Sequence, residues 1–192
     1  MQGKNDMDGL LIRSFKELAL HHPIEKITIK EITDKAGVIR PTFYNHFQDK
    51  YELLERIINT ELLEPIRPLL ENQMVNEALL LLFTNIGKER AFYMQAVRLE
   101  GQISFEFIAR NCVKQILLDI MEQNKTDVIR KFSWLTAERI AEYYAQSTCS
   151  VAIVWIKSGI AITARELVEI YDYMMKHSIA EILFPQLVEE QA

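Results

Sequence analysis

The sequence predicts an all-α fold: a three-helix unit at the N-terminus, then a larger helical part. Three observations lead there. Gly and Pro number only 6 and 5 in 192 residues, too few for a turn-rich β architecture. Apolar residues recur three and four apart along most of the chain, and no stretch alternates as a half-buried strand does. Side chains able to cap a helix stand at the expected starts, at Thr28, Asp49 and Thr163.

The elements follow in order. Residues 1–7 are polar and expected to fray. From Asp8, the positions of Leu11, Phe15 and Leu18 form the core stripe of a first helix. His21-His22-Pro23 ends it, because Pro disfavours helix in the residue before it. Thr28-Ile29-Lys30-Glu31 is a capping box, with Ile27 and Ile32 spaced as a hydrophobic staple. That helix stops near Ala36-Gly37, and a second short one runs from about Arg40 to Phe47, with Pro41 in its first turn. Asp49 caps a long helix whose apolar face holds Leu53, Leu54, Ile57 and Ile58, and which Pro65 and Pro68 kink or end. Further helices are expected at 74–87, 89–98, 103–123 and 136–158. A last one starts at a second capping box, Thr163-Ala164-Arg165-Glu166, and runs as one piece to about Leu183.

Composition narrows the function. Apolar residues at 49% allow a sizeable core, and 26% charged residues is ordinary for a globular protein. Net charge is −5, yet residues 1–50 carry 8 basic against 7 acidic side chains and residues 51–192 carry 14 against 20. The acidity lies in the C-terminal part, which leaves room for a nucleic-acid-binding head. Cys112 and Cys149 lie far apart, without the spacing of a disulfide framework or a zinc site. With no signal peptide, a reducing, cytoplasmic setting is expected. The most apolar stretch, Val151–Ala164, is interrupted by Lys157 and too short to span a bilayer, so no membrane association is expected. No Gly-rich phosphate loop, metal spacing or nucleophile motif is present, so neither a catalytic residue, a metal nor a cofactor is expected. Glu100 and Glu106 stand six apart and need not share a face.

Residues 28–47 hold two short helices joined by a tight Gly-containing turn, which is helix-turn-helix organisation. The first helix would pack on the second through Ile29, Ile32 and Ala36 against Val38, Phe43 and Phe47. The second would then turn Arg40, Thr42, Tyr44, Asn45 and His46 outward, all able to donate hydrogen bonds to base edges or phosphates in a major groove. No acidic residue lies between Gly37 and Gln48, where an ordinary surface helix would mix Glu with Lys.

The run Ala36-Gly37-Val38-Ile39-Arg40-Pro41-Thr42-Phe43-Tyr44-Asn45-His46-Phe47-Gln48-Asp49-Lys50, with Leu53-Leu54 after it and Ile27–Ile32 before it, resembles the recognition region of TetR/AcrR-type regulators. The resemblance implies a helix-turn-helix DNA-binding domain over residues 1–50, with helix four beginning at 49–50. It also implies a helical effector-response and dimerisation domain over 51–192. Carried residue by residue, Arg40 and Asn45 would face bases. Thr42, Tyr44, His46 and Lys50 would hold phosphates, and Thr28 would cap its helix and touch the backbone. Two positions depart from the pattern. Ile39 stands where a Ser or Thr cap is usual, and Pro41 replaces a common Gly or Ala, limiting base contact there. Tyr143-Tyr144, the run Val151–Gly159 and the capped last helix resemble the subgroup that includes the activator of dihydroxyacetone kinase operons. There the signal is a partner protein, so a small-molecule and a protein effector both stay open.

Tyr93, Met94, Arg98, Phe105, Tyr144 and Cys149 are candidate lining of an effector pocket, although aromatic and Met residues at helical spacing also serve as plain core. Arg98 stands out as a charge on a mostly apolar helix that calls for a partner or ligand. Val151, Val154, Trp155, Leu167, Ile170, Tyr171 and Met174 form broad apolar faces on the last two helices, expected to pair with a second copy. The expected function is that of a dimeric, effector-responsive DNA-binding transcription regulator on a pseudo-palindromic operator, repressor or activator. The alternatives are a helical interaction module that has lost DNA binding, or a helical-bundle enzyme.

Overall fold

A computed structural model of the chain describes residues 2–124 and 132–184, and every regular element among them is helical. Helix α1 spans Gln2–Ala19. It starts six positions before the expected Asp8, because none of those polar residues is a proline and a packed helix propagates cheaply into them. Its stripe, with Leu11, Phe15 and Ala19 fully buried, faces the core. A 3₁₀ turn over Ile24–Lys26 leads to α2, Ile29–Ala36.

Helix α2 is built by its caps. The Thr28 hydroxyl accepts from the Glu31 N–H at 3.2 Å, and the Glu31 carboxylate accepts from the Thr28 N–H at 2.7 Å. Ile27 and Ile32 close the staple, both buried. Gly37 ends the helix with φ +68°, a left-handed conformation that costs a glycine little. Helix α3, Arg40–Tyr44, follows two residues later, and Phe47 N–H still bonds the Phe43 carbonyl at 2.9 Å, so helical turns reach the expected end.

Asp49 caps α4, Lys50–Ile57, by accepting from the N–H groups of Tyr51 and Glu52. The prolines do not end this helix. It continues through a π-helical segment, Ile58–Leu63, into α5, Glu64–Glu71, with Pro68 inside. The wider turn bonds Glu64 N–H to the carbonyl of Asn59. Pro65 has no N–H to give to the Glu61 carbonyl, and Asn85 donates its side-chain amide there instead, at 3.3 Å. A tertiary hydrogen bond therefore carries the helix past the proline.

Helices α6, Val75–Lys88, α7, Arg90–Ala96, α8, Phe105–Asn124, and α9, Ala137–Lys157, complete most of the body. The expected single last helix is two: α10, Ala164–Lys176, and α11, Ile179–Leu183. His177 is extended between them, and Ser178 opens a third capping box with Glu181. Helix α8 packs along α9, α10 packs on α6, and one hydrophobic cluster runs from Leu11 and Phe15 through Leu53 and Phe83 to Trp155 and Leu167. Among the described residues no helix is long and apolar enough to cross a membrane.

Head and body meet at a polar knot. Lys16 of α1, only 15% exposed, holds the Glu61 carboxylate of the π segment at 2.8 Å and that of Glu89 at 3.2 Å. Its ammonium lies 5.3 Å from the centre of the Phe92 ring. The fully buried Tyr93 hydroxyl has no hydrogen-bond partner among the described residues. Burial first, then the negative charges of Glu61 and Glu89, push its pKa well above the usual phenol value.

Candidate nucleic-acid interface

The helix-turn-helix core is built as the spacing requires: Ile32, Phe43 and Phe47 are buried, and Ile29, Ala36 and Val38 pack partly buried against them. Phe43 and Phe47 rings lie 5.8 Å apart. With those side chains turned in, Arg40, Pro41, Tyr44 and Asn45 are exposed and Thr42 is half-buried. Arg40 donates to the Tyr44 hydroxyl at 3.3 Å, so the two share one outward patch. Ile39 starts α3 without a side-chain cap and is 69% exposed. Pro41 offsets this in part, since it brings no first-turn N–H to be satisfied.

Three residues expected at phosphates have internal work. His46 Nδ1 lies 2.6 Å from the Asp8 carboxylate, both side chains largely buried, which ties the end of the recognition helix to α1. The Lys50 ammonium donates to the carbonyls of Glu25, at 2.6 Å, and Ile27, at 2.8 Å, closing the C-terminal end of the 3₁₀ turn. Burial lowers its pKa, against the raising influence of Glu25, Asp49 and Glu31. Thr28 is exposed but spends its hydroxyl on the capping box. Sequence spacing showed the Thr28 box but could not show the His46 and Lys50 bonds, because each of those joins residues more than twenty apart.

A cavity of about 390 Å³ opens in the body between α5, α6, α8, α9 and α10. Its wall is mostly aliphatic, with Ile66, Leu79, Leu82 and Ile116 among the lining. Of the six expected pocket residues only Tyr144 lines it; Phe105 and Cys149 border a smaller apolar space beside Ile58 and Leu82. Tyr93, Met94 and Arg98 line neither. Tyr93 is core, and Arg98 is exposed and bonded to Gln95, because α7 ends at Ala96 and leaves Arg98 in the turn beyond. The lining that sequence reasoning missed comes mostly from α5, α6 and α8, where Leu and Ile runs read as ordinary core, and from Thr148 of α9 and Tyr171 of α10.

The expected dimer face divides in two. Trp155, Leu167 and Tyr171 are buried within the single chain, correcting their assignment to an outer face. The Trp155 indole N–H donates to the Ile162 carbonyl at 2.9 Å, and Tyr171 pairs its hydroxyl with Thr148 at 3.0 Å. Val154, Ile170 and Met174 are exposed at 65%, 47% and 43%, and Val151 is half-buried. Among the described residues no group of three His, Cys, Asp or Glu gathers as a metal site.

Comparison with known proteins places this architecture. Residues 11–57 match the model of bacterial regulatory proteins of the tetR family, and residues 73–177 match that of a transcriptional regulator C-terminal region of the same group. A curated relative, the HTH-type dhaKLM operon transcriptional activator DhaS of Lactococcus lactis subsp. lactis (strain IL1403), is 24% identical over 177 residues, covering 90% of this chain and 89% of its own. A solved structure of the dihydroxyacetone kinase operon activator DhaS superposes with a TM-score of 0.60 at 22% identity, over 88% of this chain and 93% of that one. Thermus thermophilus FadR, a TetR-family repressor solved with lauroyl-CoA, gives 0.59 at 17% identity over 88% and 92%. NalD, the secondary repressor of the MexAB-OprM multidrug efflux pump in Pseudomonas aeruginosa, gives 0.60 at 17% over 90% and 97%. With both its head and most of its body matched, the chain belongs to the TetR family of bacterial transcription regulators.

Proposed function

We propose that this regulator binds a pseudo-palindromic operator as a homodimer, with residues 1–50 reading DNA and residues 51–192 dimerising and answering a signal in the cytoplasm. The observation that carries the reading is the outward patch of Arg40, Tyr44 and Asn45 on a helix whose other face is locked into the core, with no acidic residue from Gly37 to Gln48. Arg40 and Asn45 are assigned to base edges, Thr42 and Tyr44 to phosphates. Thr28, His46 and Lys50 hold the reading helix in place. The exposed apolar side chains Val154, Ile170 and Met174 support pairing of α9 and α10 with a second copy, which would set two heads on one site. Its relatives include an activator and repressors. One head can serve both, because the sign depends on where the operator lies relative to the promoter.

A gel shift with the DNA upstream of its own gene tests the reading. Arg40→Ala is expected to relax preference at one base position per half-site, at about 1–3 kcal/mol. Uniform weakening across operator variants would move Arg40 to a phosphate. A stable monomer in sedimentation at micromolar concentration would exclude the dimer.

A further inference from the structure

We propose that the body cavity takes an uncharged, mainly hydrocarbon small molecule carrying one hydrogen-bond acceptor, and that the Thr148–Tyr171 hydroxyl pair reads that acceptor. The proposal rests on the effector-responsive reading above and gives its signal a chemical class. At about 390 Å³ the cavity lies within the size range of small-molecule sites. Most of its wall offers only dispersion and apolar burial.

Its charged groups stand at one edge and are already matched. Lys176 pairs with Asp172 at 2.7 Å, and Asn76 donates to the other oxygen of the Asp172 carboxylate at 3.3 Å. The Lys176 side chain is 64% exposed, so its charge is largely met by water. An ionised ligand moving inward would lose its hydration and find no unpaired counter-charge. A neutral one would not.

Deeper in, Thr148 and Tyr171 are both buried and share one hydrogen bond of 3.0 Å. Each hydroxyl carries one hydrogen. Whichever donates within the pair, the other hydrogen has no acceptor among the described residues. The two groups line the cavity, so that hydrogen can be given to a ligand oxygen. A carbonyl, ether or ester on an alkyl or aryl body meets both demands. The site is a recess between five helices, open at the edge where Asp172 and Lys176 stand and apolar further in, and it is of a size that a small molecule can fill.

Calorimetric titration of the full-length protein, without DNA, with 2-nonanone, nonanoate and nonylamine at neutral pH tests this. The three share one chain length and differ in charge. The ketone is expected to saturate, and both ions to bind at least roughly tenfold more weakly, a difference of about 1.4 kcal/mol. Replacing both hydroxyls at once, Thr148→Val with Tyr171→Phe, leaves no orphaned partner and is expected to cut ketone affinity about three- to tenfold. Leu79→Trp is expected to fill the space and abolish ketone binding. The ligand series on the unmodified chain stands even if a variant fails to fold. Equal or tighter binding of either ion, or no saturable binding of the ketone, overturns the proposed class. Full ketone affinity in the hydroxyl-free variant overturns the role of the pair, and in a folded Leu79→Trp it overturns the location. A ketone that binds as expected but leaves the gel shift unchanged would sink the effector reading while the ligand class stands.

Discussion

Replacing Lys16 by Met is expected to loosen the joint between head and body by about 2 kcal/mol. Met keeps the unbranched apolar stem and removes only the ammonium. That ammonium sits 2.8 and 3.0 Å from the two Glu61 oxygens and 3.2 Å from Glu89. Hydrogen bonds to charged groups are worth roughly 1.5–3 kcal/mol when shielded. Glu61 and Glu89 are 31% and 50% exposed, so water recovers part of what each loses, and the sum falls toward the lower end. For a chain of this length 1 kcal/mol moves Tm by about 2–4 °C, so a drop of about 4–8 °C is expected in calorimetry. The cycle with Glu61→Gln should show about 1–2 kcal/mol of coupling. A double variant whose loss is the plain sum of the singles, or a Tm shift under about 1 °C, would show that the knot does not join the two parts.

Four further outcomes follow. Ile39→Thr gives α3 the cap it lacks and should raise stability by about 0.5–1 kcal/mol in urea unfolding, whereas a loss would mean that Ile39 packs in a way its exposure hides. Tyr93→Phe removes a buried hydroxyl without a partner among the described residues, so stability should hold or rise by up to about 1 kcal/mol, and a clear fall in the urea midpoint would refute its orphan status. Burial pushes the Cys112 and Cys149 thiols up to about 12, with nearby Glu55 and Glu106 adding to it. A thiol pKa raised on folding adds stability below about pH 9 that is lost as pH climbs from about 9 toward 12. Both thiols should therefore resist alkylation in the native protein at about pH 8 and react on unfolding; rapid native labelling would contradict it. The capping carboxylates of Glu31, Glu166 and Glu181 are held below the ordinary range by the Thr or Ser they bond. Their contribution is present above about pH 4.5 and is lost as pH falls through those lowered values, visible as fraying of α2, α10 and α11 in acid circular dichroism.

The local chemistry was legible in the residues themselves. The boxes at Thr28 and Thr163, the Asp49 cap and the left-handed Gly37 each act within three or four residues, so their spacing is their structure. The helix-turn-helix was legible for that reason, with Phe43 and Phe47 inward and Arg40 and Tyr44 outward. Ser178-Ile179-Ala180-Glu181 has the same box spacing, which the expectation of one continuous last helix passed over, and it splits that helix at His177. Which partner each face meets was settled by long-range packing alone. Helical spacing marks Val154, Trp155, Ile170 and Tyr171 alike as apolar, but α6 packs against α10 and the Phe83 ring meets Trp155, leaving Val154 and Ile170 outside. The passage of a helix through Pro65 depends on Asn85, twenty-four residues from the carbonyl it satisfies. Lys50 and His46 read as free donors until the fold brings Glu25, Ile27 and Asp8 beside them. Periodicity records that a surface must be covered; only packing over long sequence separations says by what, and where a cavity is left between.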